Sequence, residues 1–248
     1  MAQFDVRGLN ARERYNLITG VIVPRPIALI TTLSDGGQVN AAPFSFFNAL
    51  GSNPPIVAFS PGGHSMARAK DTRANVLQRG EFVVNMVTEE LAEAMTIAAA
   101  VFPADETEIE AMKVTLAPSV QVSPPRIAES PVNLECRLVR VVDIGLNKIL
   151  FGEVLQIHVR DDLINLEKMY IHYDRLRFLG RMPGGSGVYS NTRDLLIVPR
   201  ITYDDIKSGR TIADLPTSVA PEEVEGPQRF GSEIDAAMRA MQGGIDGR

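Results

Sequence analysis

The chain has little of what several common chemistries require. Its single cysteine, Cys136, rules out an internal disulfide framework, and no Cys/His cluster stands at metal-ligand spacing. The histidines, His64, His158 and His172, are too scattered for a zinc helix motif. No serine occupies a Gly-x-Ser-x-Gly elbow. Neither Gly-x-x-x-x-Gly-Lys nor a Gly-x-Gly-x-x-Gly turn after a strand occurs. Hydrolase, nucleoside triphosphatase and Rossmann dehydrogenase chemistry therefore lack their residues. No run reaches the roughly 18 apolar residues of a membrane span, and Met1-Ala-Gln-Phe-Asp5 shows no basic, signal-type start. A soluble, reduced, cytoplasmic protein is expected, with no membrane association and no resident metal. A net charge of −5 and a pI near 5.3 speak against a sequence-independent nucleic-acid binder, which needs a basic face to displace counterions.

What is present suffices for a full core. With 248 residues, 45% hydrophobic and 22% charged, the chain needs no staples. One domain over residues 1–195 and an extension over 196–248 are expected. Asn10, with Glu13 three residues on, has the form of a helix start, and Gly20 is placed to stop that helix. Ile56–Ser60 and Phe82–Val87 read as short buried strands. Asp71 is read as the cap of a helix over Thr72–Arg79, with Val76 and Leu77 inward and Gly80 as terminator. Thr88 is read as the cap of another helix through Ala99, with Leu91, Met95 and Ala98 as a core stripe. Leu134–Asp143 and Ile149–Asp161 are β-rich runs with a short link, hence antiparallel partners. Further strand is expected within Thr192–Arg200, an exposed tail over Ser208–Gly231, and a terminal helix over Ser232–Gln242.

The richest stretch is Pro24–Asn48. Ile27–Leu33 is apolar or β-branched, Asp35-Gly36-Gly37 supplies a tight reversal, and a return strand starts at Val39. That strand is expected to break within Ala41–Asn48, where Pro43 lacks a ladder donor and must lie at an edge or bulge. A freed edge leaves backbone groups available to a ligand. Thr31, Thr32, Asn40, Ser45 and Asn48 add side-chain hydrogen bonding, and Phe44, Phe46 and Phe47 add flat apolar surface. A planar heterocycle with a polar tail suits such a wall. The alternative is an ordinary hairpin whose phenylalanines fill the core. Thr31 and Thr32 alternate across their strand, so both side chains cannot face one wall, and one is structural.

These residues resemble the signature of the flavin reductase-like family of FMN-binding split barrels: Pro24-Arg-Pro-Ile-Ala28, then Asn40-Ala-Ala-Pro-Phe-Ser45 and Phe47-Asn48. The likeness continues through Lys70-Asp71-Thr72, Asn75, Gly80–Asn85, Pro131–Cys136 and Gly152-Glu-Val154, and spans roughly residues 15 to 190. The resemblance implies a mainly β fold with flanking helices, a six-stranded antiparallel Greek-key barrel. It also implies a homodimer enclosing FMN at its interface, and an NADH- or NADPH-dependent oxidoreductase.

By the same resemblance Asn40, Ala42, Pro43, Phe44, Ser45, Phe46 and Asn48, with Thr31 or Thr32, contact the ribityl chain and ring system. Lys70 and Arg68, with Ser65 and Thr72, meet the phosphate through charge-assisted hydrogen bonds. His158 stands at a position near the flavin, where a histidine could steady the reduced anion or donate a proton, or could be a plain hydrogen-bonded strand residue. Arg181 and Tyr189 flank a glycine-rich turn and are candidate substrate contacts, or part of a surface loop. Glu135 and Cys136, adjacent in a strand, point to opposite faces and so do not form a coupled pair. The acceptor is a monooxygenase partner fed with reduced FMN or a small organic molecule. A non-enzymatic electron carrier of flavoredoxin type is the rival reading.

Overall fold

The computed structural model describes residues 1–62, 67–102, 107–183, 187–196, 198–199 and 201–214, with backbone only for 67–70. The chain divides into two units, Met1–Asp161 with Leu176–Arg193, and Asp162–Arg175 with Asp194–Arg248.

In the first unit, helix α1 (Ala11–Val21) starts at the reciprocal pair expected from sequence. Glu13 N donates to Asn10 Oδ1 at 3.0 Å and Asn10 N donates to Glu13 Oε2 at 2.8 Å. The helix runs one residue past Gly20. Strands β1 (Arg25–Pro26), β2 (Ala28–Leu33), β3 (Val39–Phe44), β4 (Phe47–Ser52) and β5 (Pro55–Phe59) follow, then α2 (Ala67–Arg79) and β6 (Glu81–Met86). Helices α3 (Ala92–Ala98) and α4 (Glu108–Met112) lead to the short pair β7 (Leu116–Ala117) and β8 (Arg126–Ile127). The long hairpin β9 (Val132–Ile144) and β10 (Asn147–Val159) comes next.

The second unit holds β11 (Ile164–Asn165) paired with β12 (Tyr170–Ile171), and helix α5 (Tyr203–Lys207) with its Thr202/Asp205 capping box. Strands β13 (Leu179–Arg181) and β14 (Tyr189–Asn191) belong to the first unit and form a three-stranded sheet with β1.

Seven strands, not six, make the main sheet, in the order β3-β2-β6-β9-β10-β5-β4, all antiparallel. Its two edge strands, β3 and β4, are joined by only Ser45-Phe46. The sheet must therefore curl until its edges lie a two-residue link apart, and no ladder pairs those edges among the described residues. This is a split barrel. Alternation along each strand then sorts side chains to two faces. The inner face carries Ala28, Ile30, Ala42, Phe44, Phe47, Phe59, Phe82, Val84, Cys136 and Leu150, plugged by Val76 of α2. The outer face carries Ile27, Leu29, Ala41 and Val87 under Leu91, Ala94, Met95 and Ala98 of the α3 region.

Several expectations are corrected. Helix α2 begins at Ala67, so Asp71 lies inside it rather than at its cap: Ala67-Arg-Ala-Lys are strong helix formers and extend it backward. Gly80 does terminate it, with φ +73° and Gly80 N donating to Val76 O. Val76 is inward but Leu77 is exposed. Thr88 bridges Phe178 instead of capping a helix, and α3 starts only at Ala92. The return strand does not break at Ala41; pairing with β2 persists to Phe44. No strand occurs within 192–200 among the described residues, and the tail after residue 214, including the expected helix at 232–242, lies outside them. No helix among the described residues is long and apolar enough to cross a membrane.

Candidate functional site

The site is built where β3, the link to β4 and the first turns of α2 come together. Pro43 lies on an edge strand, as its missing N–H demands. Residues 39, 41 and 43 turn their backbone polar groups to the free edge, because β-ladder orientation alternates. Thr107 Oγ1 donates to Val39 O at 3.1 Å, and Ala41 N donates to the buried carboxylate of Glu108. The edge is thus covered through the Ala41 N–H. Beyond it, this side of the strand presents carbonyl acceptors and no donor at Pro43.

Behind this margin lies a polar network. Asn40 Nδ2 donates to Thr72 Oγ1 at 2.8 Å and lies 3.5 Å from Thr32 Oγ1, which also accepts from Asn75 Nδ2 at 3.0 Å. Thr32 and Thr72 are fully buried, so they hold Asn40 and α2 rather than face outward. Each hydroxyl accepts here and keeps its own proton for a further acceptor. Thr72 and Asn75, three apart on one helix face, both reach this network from α2.

Thr31 points to the opposite face of β2. Its hydroxyl donates to Pro125 O and accepts from Asn85 Nδ2, which also donates to Leu29 O. Asn85 Oδ1 in turn accepts from Ile127 N and from Asn133 Nδ2. That network ties the 118–127 segment to the barrel.

The phenylalanines divide. Phe44 is buried with its ring 5.3 Å from Phe59, and Phe47 is also buried, so their faces belong to the core. Phe44 can meet a ligand only through its backbone. Phe46 is exposed and sits edge-on to Tyr15, with ring centroids 6.5 Å apart. Ala42 is inward, Pro43, Ser45 and Asn40 are half-buried, and Asn48 is exposed with its Oδ1 accepting from Ala49 N. Arg68 and Lys70 lie in the first turn of α2, with only their backbone described, and Ser65 lies outside the described residues.

His158 is held by a partner that sequence reasoning missed. Its Nε2 lies 2.6 Å from Oε1 of Glu135, a fully buried carboxylate that also accepts from Val120 N at 2.8 Å and Gln121 N at 2.6 Å. Burial pushes the Glu135 carboxyl upward, but the Gln121 N–H, His158 and the Val120 N–H together outweigh it and hold the group below the usual carboxylate range. Glu135 and Cys136 do point apart; burial raises the Cys136 thiol far above its ordinary value, which suits inert packing.

The register places His158 in one cross-sheet row with Pro43: Pro43 opposite Leu29, Leu29 opposite Asn85, Asn85 opposite Asn133, Asn133 opposite His158. Four strand spacings of about 4.8 Å separate them, roughly 19 Å along the sheet.

The flavin reductase like domain model matches residues 21–178. The Pseudomonas fluorescens 2-nitrobenzoate 2-nitroreductase NbaA superposes with TM-score 0.73 at 35% identity, covering 82% of this chain and 98% of that one. Nitrilotriacetate monooxygenase component B from Bacillus cereus gives 0.71 at 32% identity, over 77% and 95%. A split barrel domain protein of Shewanella frigidimarina, assigned there as a flavin reductase, gives 0.69 at 21% identity, over 81% and 100%, and shows the fold.

Proposed function

The chain belongs to the flavin reductase-like family, and from that premise we propose that it is a cytoplasmic, homodimeric FMN-dependent oxidoreductase that draws on NADH or NADPH and passes electrons to a monooxygenase partner or a small organic acceptor. Both routes have a counterpart in name among the relatives, a nitroreductase and a monooxygenase component. FMN, when bound, accepts a hydride from the nicotinamide and hands the electrons on.

The observation that carries the reading is the 2.8 Å hydrogen bond from Asn40 to Thr72, which joins the β3 margin to the first turns of α2. The donor set fits the group. A flavin's pyrimidine edge offers one N–H between two carbonyls, and the margin supplies carbonyl acceptors at Ala41 and Pro43 beside the Ser45 hydroxyl and Asn48 amide. Phe46 gives exposed flat surface. The backbone N–H groups and cations Arg68 and Lys70 at the start of α2 suit a phosphate. The reading includes the dimer because the family resemblance implies a flavin held at the subunit interface, with His158 near it.

Joint substitution Ser45→Ala, Asn48→Ala should raise the FMN dissociation constant about tenfold or more, read by fluorescence titration, since two side-chain hydrogen bonds at about 1 kcal/mol each are removed. Unchanged affinity would contradict the assignment of the margin. Mixing FMN-loaded protein with excess NADH or NADPH in a stopped-flow instrument should bleach the flavin's visible band with at least one of the two nucleotides. A carrier that oxidises neither predicts no bleaching, and that result would replace the reductase reading.

A further inference from the structure

We propose that the exposed side of α1, continued by Phe46, is the surface on which a second copy of this chain docks, and that this contact puts the flavin margin at the subunit interface; the second clause rests on the reading above. Ala11, Tyr15 and Ile18, with Ile22 at the C-cap, recur at i, i+4, i+7 and i+11. That spacing draws one narrow row along a helix, the pattern of a seam laid against another helix. Arg12, Glu13 and Asn16 fall away from the row and are exposed.

Little of this helix is packed within its own subunit. Of its 11 residues only Thr19 is buried. The helix is fastened at its carbonyl end, where Arg25 Nη1 donates to Thr19 O at 2.5 Å and to Ile22 O at 3.0 Å. An isolated helix of this length is marginal in water, and tertiary packing of an apolar face is what ordinarily holds one. Here that face is open: Tyr15 is 57% exposed, Ile18 47%, Ile22 55% and the flanking Val21 75%.

Phe46 carries the face across to the barrel. Its ring, 43% exposed, meets Tyr15 edge-on, and in the chain it stands between Ser45 and Asn48 of the flavin margin. These five side chains leave roughly 600 Å² of mostly apolar surface open, at the top of the range of about 300–600 Å² for the largest patch on a monomer and near the ~800 Å² that each partner of a standard interface buries. A second copy suits the face. Around a two-fold axis near Ile18 the row meets its own copy running the other way, apolar against apolar. That contact buries no unpaired charge: Arg14, on the flank, turns back to donate to Leu9 O, and Arg12 and Glu13 stay in water.

The test is sedimentation equilibrium on the full chain across a dilution series, with and without saturating FMN. The native chain should sediment as a dimer at micromolar concentration. Ile18→Glu should raise the dimer dissociation constant about a hundredfold or more, because a two-fold contact then buries two unpaired carboxylates. Asn16→Glu adds the same charge on the water side of the same helix and should leave the constant unchanged, as should Ile18→Leu. Circular dichroism on each variant separates lost assembly from lost helix. Saturating FMN should tighten the native dimer about tenfold, and by reciprocity dilution into monomers should weaken FMN binding.

A native chain that sediments as a monomer at those concentrations would overturn the proposal, as would a folded Ile18→Glu variant whose dimer is as tight as the native one. An Ile18→Glu variant that melts lower yet keeps the native mass would also overturn it, by assigning the row to packing against another part of the same chain. A dimer broken by Ile18→Glu but indifferent to FMN would overturn the clause that puts the flavin margin at the contact. Mass is read without NADH or NADPH, so failure of the oxidoreductase reading, seen as absent bleaching in the stopped-flow experiment, is told apart from failure of the docking surface.

Discussion

Gly152→Ala is expected to destabilise the protein by about 2 kcal/mol and to lower its melting temperature by about 4–8 °C in calorimetry. A Cβ at this position would stand 2.3 Å from Phe82 Cζ, 2.8 Å from Phe82 Cε1 and 3.3 Å from Cys136 Cβ. Phe82 cannot retreat without cost. It is fully buried, and its ring abuts Phe59 at 5.2 Å, which in turn abuts Phe44 at 5.3 Å. Relief must come from a register or strand shift at the β-bulge beside Phe151/Gly152, or from displacement of the three rings in series. Phe44 is the residue before Ser45, so the second route moves the candidate flavin margin and should also weaken FMN binding. Gly20→Ala is the matching control. It sits in α1 with nothing within 4 Å of the added carbon, so it should be neutral or stabilising by up to about 1 kcal/mol. A Gly152→Ala variant melting with the native protein would mean that the inner face is looser than its packing indicates.

Legibility in the sequence followed the range of the interaction. The Asn10/Glu13 capping box, the Asp35-Gly36-Gly37 reversal and the β9–β10 hairpin depend on residues a few positions apart, and each was readable. The opposed faces of Thr31 and Thr32 were readable too, because strand alternation alone decides them. Other features depend on tertiary placement. Phe44 and Phe46 look equivalent in a run of aromatics; only the curl of the sheet sends one into the core and leaves the other beside Tyr15. Asp71 and Thr88 are capping residue types whose surroundings override them: Ala67–Lys70 continue α2 backward, and Thr88 is bridged to Phe178, ninety positions on. The short edge strand β4 is a seventh member that its exposed Asn48-Ala-Leu-Gly-Ser52 sequence does not advertise. Glu135 and His158, 23 residues apart, meet diagonally across two strands only because the register shifts between Val154 and Gln156. Without that bulge the period-2 rule would misplace one of them.

Replacing Glu135 should therefore have consequences that its neighbour Cys136 does not share. In Glu135→Leu, the Val120 and Gln121 N–H groups and the His158 ring all lose their acceptor. The two backbone groups belong to exposed residues and can be rehydrated, so the loss lies toward the low end of the usual 1–3 kcal/mol per group, about 2–3 kcal/mol in all by urea unfolding. Glu135→Gln keeps the shape but turns an amide nitrogen toward donors, and should lose about 1–2 kcal/mol.

The sign of the pH dependence follows from the carboxyl being held below its ordinary value of 4.5. A depressed folded-state value means that the ionised form stabilises the fold. That contribution is complete above pH 4.5 and is lost as pH falls through the lower, folded-state value. The stability gap between native protein and Glu135→Gln should thus be constant from about pH 6 to 8 and shrink below about pH 4. A gap that does not change with acid would show that the carboxylate is not the acceptor. The same carboxylate favours a proton on His158 Nε2 and so orients the ring. If His158 serves the flavin of the partner subunit, Glu135→Gln and His158→Ala should each slow turnover about tenfold, and the double variant should be no slower than His158→Ala. Additive losses would separate Glu135 from the chemistry and leave it a fastener for the 118–127 segment.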